Sequence, residues 1–223
     1  MKRGIIVTID GPSGAGKGTV ARAVAKRLGL TYIDTGAMYR AFALSAHRNL
    51  IDVEDEKELS ELLLETHIYI ENDADYNVKV ILNKEDVTDK IRTPEISSLS
   101  SGLATKKVVR NTLKGMQKRL GQKGNIVAEG RDMGTYVFPD ADFKFYLDAT
   151  LDERAERRWL QLQEDGVDQS LEVVKKEIEE RDKQDRERAE SPLHPARNAV
   201  IIDTTNVTVE EVIGKILKTI GGV

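Results

Sequence analysis

A glycine-rich loop between an apolar segment and a helical pattern constrains this chain more than any other feature. The loop follows the apolar run Ile5–Ile9 and reads Gly11-Pro12-Ser13-Gly14-Ala15-Gly16-Lys17-Gly18-Thr19. Its glycine and lysine spacing is that of a phosphate-binding loop, whose backbone N–H groups surround phosphate oxygens at the start of a helix. Strand, loop, lysine and helix occur together, which disfavours a simple turn without a ligand. The segment therefore predicts binding of a nucleoside triphosphate, with Lys17 near the β- and γ-phosphates.

The residue after the lysine departs from the usual pattern. Most loops of this type have Ser or Thr at that position, and its hydroxyl binds Mg²⁺. Here the position is Gly18, and the hydroxyl moves to Thr19. The usual hydroxyl contact to Mg²⁺ is therefore in question, and water can take its place.

Short apolar runs alternate with helical patterns along most of the chain. This alternation is typical of an α/β fold around a parallel sheet whose strands are covered on both faces. The predicted strands are Ile5–Ile9, Thr31–Ile33, Ile126–Ala128, Phe143–Leu147 and Val200–Ile202. The predicted helices are Thr19–Leu28, Ala37–Arg48, Ile96–Leu120, Leu151–Gln163, Leu171–Arg188 and Val209–Thr219. The predicted fold class is a three-layer α/β P-loop NTPase fold with a parallel five-stranded sheet.

One segment has a different period. Polar and apolar residues alternate over three short runs separated by turn residues, which are His67–Asn72, Val78–Asn83 and Glu85–Thr88. The pattern predicts a half-exposed antiparallel meander. We therefore expect a small inserted subdomain at about residues 63–102, within a P-loop core formed by residues 1–62 and 103–223.

A guanine-specificity motif offers a competing interpretation of the same segment. Asn83-Lys84-Glu85-Asp86 matches the NKxD pattern of GTPases. A GTPase also needs a DxxG motif, and no Asp precedes a Gly by three positions in this chain. The run before Asn83 alternates as a half-exposed hairpin strand does. We interpret these four residues as a hairpin turn.

Charge and composition narrow the classes of partner. A net charge of −4 and a pI near 5.6 argue against a general nucleic-acid or membrane-surface binder. The absence of cysteine excludes disulfides and thiolate catalysis, and no apolar run approaches the length of a membrane span. The N-terminus runs directly into the glycine-rich loop and predicts a first strand, not a signal peptide. We expect a cytoplasmic monomer.

Two further clusters of polar residues follow predicted strands. The first is Asp34-Thr35-Gly36-Ala37-Met38-Tyr39-Arg40, in which Thr35 can cap the next helix and Arg40 can reach an anion. The second reads Glu129-Gly130-Arg131-Asp132, and such packed charges need partners or substrate groups. The alternative for the first cluster is a surface arginine beside a core tyrosine. The alternative for the second cluster is a structural ion-pair network.

Five segments together resemble the bacterial-type cytidylate kinases, of the nucleoside monophosphate kinase family. They are GPSGAGKGT, DTGAMYR, IRTPEIS, EGRDMGT and the charged run from Arg181 to Arg188. Their order and spacing match from Ile5 to about Asp203, and the insert lies where that family carries its monophosphate-binding domain. The resemblance implies transfer of a phosphoryl group from ATP to CMP or dCMP, with Mg²⁺ bridging phosphates and no protein nucleophile.

The resemblance also implies roles for individual residues. Those for the acceptor phosphate are Thr35, Tyr39, Arg40, Arg131 and Arg188. Those for cytosine are Ser101, Arg110 and Asp132, and those for the ribose are Arg181 and Asp185. Glu129 stands where the family has an Asp, and its role stays open. Cytosine chemistry agrees, because an acid suits the exocyclic amine and an arginine suits the acceptors.

Two helical segments carry further arginines. Arg154, Arg157 and Arg158 are spaced to project from one face of a helix, and by analogy with the family residues 152–168 form a short lid over ATP. The catalytic set implied is Lys17, Arg131, Arg157 and Arg188. Arg181, Asp185 and Arg188 likewise share one helical stripe, with Arg181 expected to orient Asp185. Solvated helices with exposed ion pairs are the alternative for both segments.

Two other functions remain open at this point. A kinase of the same fold that acts on a nucleoside or a sugar-like acid predicts fewer arginines at the acceptor site. A nucleotide-binding module without turnover predicts tolerance of lost lid arginines.

Overall fold

The computed structural model describes residues 3–221, which form a five-stranded sheet, a three-stranded sheet and eight α-helices within that range. The strands are β1 (Ile6–Asp10), β2 (Thr31–Asp34), β3 (Ile68–Asn72), β4 (Val78–Leu82), β5 (Glu85–Asp86), β6 (Ile126–Gly130), β7 (Phe143–Asp148) and β8 (Val200–Asp203). The helices are α1 (Lys17–Leu28), α2 (Thr35–Arg48), α3 (Glu56–Glu65), α4 (Pro94–Leu103), α5 (Lys107–Leu120), α6 (Leu151–Glu164), α7 (Leu171–Glu187) and α8 (Val209–Gly221). A π-helical turn, Met133–Val137, lies between β6 and β7.

The large sheet is parallel and has the order β2-β6-β1-β7-β8. Every residue of the central strand β1 is buried, which explains why its sequence is almost continuously apolar. Val7 and Ile9 pack on one face with residues of α1 and α8. Ile6 packs on the other face with Met133 and Val137. The predicted three-layer α/β fold and its five strands are confirmed.

The small sheet is antiparallel and has the order β3-β4-β5. Val80 and Leu82 are buried while the intervening residues are more exposed, which is the alternation that predicted these strands. Asn83 and Lys84 both have positive φ, at 47° and 73°, as a tight hairpin turn requires. The first two residues of the guanine motif therefore form the hairpin turn between β4 and β5, and Glu85 and Asp86 form β5 itself.

The small sheet packs against helices that lead to the large one. Its buried residues share one apolar cluster with α2, α3, α4 and α5, including Phe42, Leu59, Val80, Ile96 and Leu113. Polar contacts also join the tip of the β3–β4 hairpin to α1. Arg22 donates to Asn77 at 2.8 Å, and Lys26 donates to Asp75 at 2.9 Å.

The prediction of one helix over Ile96–Leu120 is wrong. α4 ends at Leu103 and α5 begins at Lys107. The Thr105 hydroxyl donates to the carbonyl of Gly102 at 2.7 Å, and the chain turns there. Apolar periodicity continues across the break because both helices face the same core, so the pattern did not reveal it.

The predicted elements did not include α3. Asp55 caps this helix by accepting from the N–H groups of Lys57 and Glu58, and the buried residues are Leu59, Leu62 and Leu63. An acidic cap followed by apolar residues three and four apart was a readable signal. No helix within residues 3–221 has the length and apolar character needed to cross a membrane.

Candidate active site

The glycine-rich loop joins β1 to α1 in a backbone shape that only glycine adopts easily. Gly14 and Gly16 have φ of 75° and 80°, in the left-handed region. A Cβ on Gly14 would lie 2.5 Å from the carbonyl oxygen of Arg154, so a side chain has no room. The loop therefore presents backbone N–H groups at the start of α1, where an anion is favoured.

Lys17 is a buried cation at the base of this loop. Its Nζ donates to the carbonyl oxygen of Pro12 at 2.6 Å, and the residue is 6% exposed. Burial and the nearby Arg131 lower the pKa of Lys17 from 10.5 to about 7. Burial removes the water that would stabilise the Lys17 ammonium. Phosphate oxygens bound beside it would take the place of that water and keep the group fully charged.

We expect the affinity for ATP to fall as the pH rises above about 7. Free Lys17 loses its proton near that pH, whereas bound phosphate raises its pKa, so binding takes up a proton. The dissociation constant then rises by up to about tenfold per pH unit. Calorimetry in two buffers of different ionisation enthalpy measures both the affinity and the proton uptake. In the matched variant Lys17→Met, the dissociation constant for ATP should no longer rise with pH in this way. A wild-type dissociation constant that does not change with pH would contradict the assignment of Lys17 to the phosphates.

Two carboxylates lie beside the loop at the ends of neighbouring strands. Asp34 of β2 is paired in register with Glu129 of β6. The Tyr32 hydroxyl donates to Oε1 of Glu129 at 2.9 Å, and that oxygen lies 3.1 Å from where a Cβ of Gly18 would be. Burial and the charge of Asp34 raise the pKa of Glu129. Glu129 therefore crowds the position after the lysine, where other loops have their hydroxyl side chain.

Asp185 of α7 is held by two arginines. Arg131 Nε donates to Oδ2 at 2.8 Å, and Arg188 Nη1 donates to Oδ1 at 2.9 Å. Burial opposes ionisation of Asp185, but the charges of Arg131 and Arg188 hold its pKa below 3.8. Arg181 forms no hydrogen bond with Asp185 within residues 3–221, so the expectation that Arg181 orients it is wrong. Asp185 and Arg188 are buried and Arg181 is partly buried, so this helical stripe is not an exposed charged surface.

Three arginine donors in this region are buried without a protein partner among the described residues. They are Nε of Arg181, Nη2 of Arg188 and Nε of Arg110. Burial and the charge of Arg131 lower the pKa of Arg181 to about 10. Unpaired buried donors are costly, so this end of the cleft is suited to an anion and other acceptors.

Asp132 forms a buried ion pair with Arg110. The Arg110 Nη2 to Asp132 Oδ2 distance is 2.6 Å, and both side chains are about 5% exposed. Asp10 accepts from the N–H groups of Met133 at 2.8 Å and Gly134 at 2.7 Å, which fixes the turn after Asp132. Sequence reasoning missed Asp10, whose position at the end of β1 was the available signal.

The residues after β2 partly differ from expectation. The helix cap is Asp34, which accepts from the N–H of Ala37 at 2.9 Å, and not Thr35 as predicted. Thr35 instead donates to the carbonyl oxygen of Glu129 at 2.7 Å. Asp34 also pairs with Arg40 at 3.0 Å, so this arginine is anchored near the start of α2. Tyr39 lies under Arg110, with the guanidinium carbon 5.8 Å from the ring centre.

The three arginines of α6 do not share one role. Arg154 is buried under the loop, where it pairs with Asp182 and donates to the carbonyl oxygen of Ser13. Arg157 donates to the hydroxyl and the carbonyl oxygen of Thr204 at 3.0 and 2.7 Å. Arg158 points to the cleft and forms a side-chain bond only with Gln161 among the described residues. The prediction of one common face is wrong, because Arg154 supports the loop from below.

Most of these groups line one open cleft of about 1160 Å³, to which the carboxyl ends of the parallel strands and the inserted sheet both contribute. The predicted residues that line it are Ser13, Gly14, Ala15, Gly16, Lys17, Gly18, Thr19, Thr35, Tyr39, Arg40, Ser101, Arg110, Arg131, Asp132, Arg157, Arg181, Asp185 and Arg188. Gly11 and Pro12, the first two residues of the loop, are not among the lining residues. The phosphate loop thus lines one part of the cleft. The arginines and acids around Asp132 and Asp185 line another part.

Comparisons with known proteins agree on one family. The family model described as cytidylate kinase matches residues 7–221. A cytidylate kinase of Syntrophotalea carbinolica is 45% identical over 221 residues, covering 99% of this chain and 93% of that protein. A cytidylate kinase of Bacillus cereus is 44% identical over 223 residues, covering 100% and 99%. A shikimate kinase structure from Bacteroides thetaiotaomicron has a TM-score of 0.50 at 14% identity, covering 98% and 99%, which shows similarity of fold alone.

Proposed function

The chain belongs to the cytidylate kinase family and transfers a phosphoryl group from ATP to CMP or dCMP; we propose that the two sides of its cleft bind the two substrates. The glycine-rich loop and Lys17 take the ATP phosphates. The side facing them, around Asp132 and Asp185, takes the monophosphate. The observation that carries this assignment is the group of buried arginine donors that have no partner among the described residues.

The acceptor phosphate is held by Arg131, Arg188 and Arg40, with Thr35 and Tyr39 nearby. Nη2 of Arg188 is buried and free to donate, and Arg131 is already oriented by Asp185. Guanidinium groups suit phosphate because they donate in a fixed planar fork. Asp185 still has lone pairs for ribose hydroxyls, since a carboxylate accepts up to about four bonds. Arg181 lies beside it with Nε available.

The base is read by Asp132 and Arg110, with Ser101. One oxygen of Asp132 is used by Arg110, which leaves Oδ1 as an acceptor for the cytosine amine. Nε of Arg110 is buried and unpaired within the described chain, so it can donate to a ring acceptor of the base. Uracil presents a carbonyl where cytosine has its amine, and a buried carboxylate repels it.

Magnesium is a required ion in this proposal, and the residues beside the loop fit it. Mg²⁺ keeps several waters and takes few carboxylates together with substrate phosphates. Asp34 and Glu129 are the two carboxylates at the loop, and the position next to Lys17 carries no hydroxyl. These two acids would hold the ion through water, and the ion would neutralise charge on the transferring phosphate.

The chain's own residues contribute positioning and charge. Lys17 on one side and Arg131 and Arg188 on the other place cations around the transferring group, where charge spreads over the equatorial oxygens. The acceptor phosphate oxygen is already ionised, so no protein base is needed and the transfer is in line and direct. Arg157 stands at the edge of the cleft, held by Thr204, where it can contact the ATP side.

We further propose that residues 63–102 serve as the monophosphate-binding subdomain and residues 152–168 as the lid. Ser101 belongs to the first segment and Arg157 and Arg158 to the second, and all three line the cleft. The net charge of −4 disfavours a nucleic-acid partner, and we propose a cytoplasmic monomer.

The test is ADP release with CMP, dCMP, UMP, AMP and GMP as acceptors. We expect CMP to exceed UMP, AMP and GMP in kcat/KM, because only cytosine pairs with both Asp132 and Arg110. Asp132→Asn should lower the CMP-to-UMP ratio by roughly tenfold or more, since its amide can donate to a carbonyl. Glu190→Gln, a partly exposed acid outside the cleft, is the matched control and should leave the ratio unchanged. The proposal fails if AMP is the best acceptor.

A further inference from the structure

A hydrogen bond joins the inserted segment to α7 at the base end of the cleft. The Ser101 hydroxyl, at the end of α4, donates to Oε1 of Gln184 at 2.9 Å. Both residues are partly buried, and Ser101 lines the cleft. Gln184 directly precedes Asp185, and its backbone carbonyl accepts from the N–H of Arg188 at 3.0 Å. Gln184 therefore sits on α7 next to Asp185, which two arginines hold in place, and no role was predicted for Gln184.

This bond decides whether the Ser101 hydroxyl donates a hydrogen bond to a ligand or accepts one from it. A serine hydroxyl has one hydrogen to donate and two lone pairs with which to accept. Because the hydrogen is directed to Gln184, only lone pairs remain for a group in the cleft. Without an acceptor at position 184 the hydroxyl would rotate and could donate as easily as accept.

The surroundings of Ser101 have the same acceptor character. Arg110 Nη1 donates to the carbonyl oxygen of Ala104, three residues after Ser101, and its Nη2 pairs with Asp132. Arg110 thus ties the chain after α4 to Asp132 through Oδ2, and the other oxygen, Oδ1, has no hydrogen-bond partner among the described residues. Ser101 and Asp132 both line the cleft, so Ser101 Oγ and Asp132 Oδ1 are two acceptors for the two hydrogens of an exocyclic amine.

We propose that Gln184 is a positioning residue for base choice, which fixes the Ser101 hydroxyl as an acceptor and so favours cytosine over uracil. The inference rests on the proposed function. The cytosine amine donates one hydrogen to Asp132 and the other to Ser101. The uracil carbonyl in the same place faces two sets of lone pairs, and the fixed proton of Ser101 does not turn to relieve the repulsion.

The experiment compares two nearly isosteric changes at position 184. Gln184→Met removes the acceptor and should lower the CMP-to-UMP ratio of kcat/KM about tenfold, chiefly through better use of UMP. Gln184→Glu keeps an acceptor and has no donor, so it should retain the wild-type ratio. If Gln184→Glu lowers the ratio as much as Gln184→Met, the amide acts as a donor and the proposal is overturned.

A double-mutant cycle separates this role from a structural one. In a Ser101→Ala background, Gln184→Met should cause no further change in the ratio, because there is no hydroxyl left to orient. An equal loss in both backgrounds would overturn the proposal. Thermal melts and KM for ATP identify variants that are merely destabilised. If wild type does not prefer CMP, the proposed function itself fails, whereas a CMP preference that survives Gln184→Met defeats only this inference.

Discussion

Lys17→Ala should abolish phosphoryl transfer to CMP in an enzyme that stays folded. Lys17 is the buried cation of the glycine-rich loop, and its Nζ already points to the loop carbonyl of Pro12. Removing one preorganised charge or donor from a transition state commonly costs a factor of about 10² to 10³ in kcat. We expect a loss of about 10³ or more, because in the proposed mechanism this charge both binds the phosphates and stabilises their transfer. ADP release under saturating CMP and ATP measures it.

The fold should not suffer from this change. The pKa of folded Lys17 is lowered to about 7 from 10.5, so the native state holds the charged form at a cost below pH 7. Deleting the ammonium removes that cost, and the thermal melt near neutral pH should be no lower than that of wild type. Lys118→Ala, at an exposed lysine of α5, is the control and should keep full activity. Near-normal turnover by a folded Lys17→Ala enzyme would refute the phosphate-loop assignment.

Asp185→Ala should impair use of the monophosphate much more than binding of ATP. The carboxylate holds Arg131 and Arg188 at 2.8 and 2.9 Å, and its remaining lone pairs face the cleft. Its loss removes the acceptor that we propose for the ribose hydroxyls and frees two guanidinium groups that are otherwise oriented. We expect kcat/KM for CMP to fall by roughly tenfold or more, the scale of one charged hydrogen bond. The affinity for ATP, measured separately, should change little.

A comparison of CMP with dCMP as acceptors shows whether Asp185→Ala weakens recognition of the ribose or only destabilises the protein. CMP offers two ribose hydroxyls and dCMP one, so the loss should be larger for CMP. Removing Asp185 also leaves buried arginines unpaired, and a lower thermal melt is expected above the carboxylate's pKa. Asp185→Asn keeps the shape with less destabilisation, and Glu187→Ala, an exposed acid on the same helix, is the control. Unaltered CMP kinetics in a folded Asp185→Ala enzyme would show that Asp185 does not contact the substrate.

Local patterns predicted the framework of this protein well. The buried strands could be found because a parallel strand covered on both faces must be apolar at nearly every position, as β1 is. The hairpin at Asn83 could be found because a tight turn needs residues that tolerate positive φ. Helix α3 could also have been found from Asp55 and the leucines that follow, and its omission reflects an unused local signal.

The pairing of charged side chains could not be predicted in the same way. Arg154, Arg157 and Arg158 have the spacing of one helical face, yet Arg154 pairs with Asp182 of α7 while Arg157 binds Thr204 after β8. Arg181 has the spacing to orient Asp185, but Arg131 from the end of β6 does so. Sequence spacing shows which residues can be neighbours on one helix. It does not show which residues of another helix or strand will contact them.

The α/β framework, the phosphate loop and the family could be predicted from the sequence, because they depend on local backbone requirements and on motifs in a set order. The contact partners of individual groups depend on how the elements pack. Those partners are Asp10 for the turn after Asp132, Glu129 for the space beside Gly18, and Gln184 for Ser101. The physical reason is that hydrogen bonds are made over about 3 Å between atoms that can be far apart in the chain. Only folding brings such atoms to that distance.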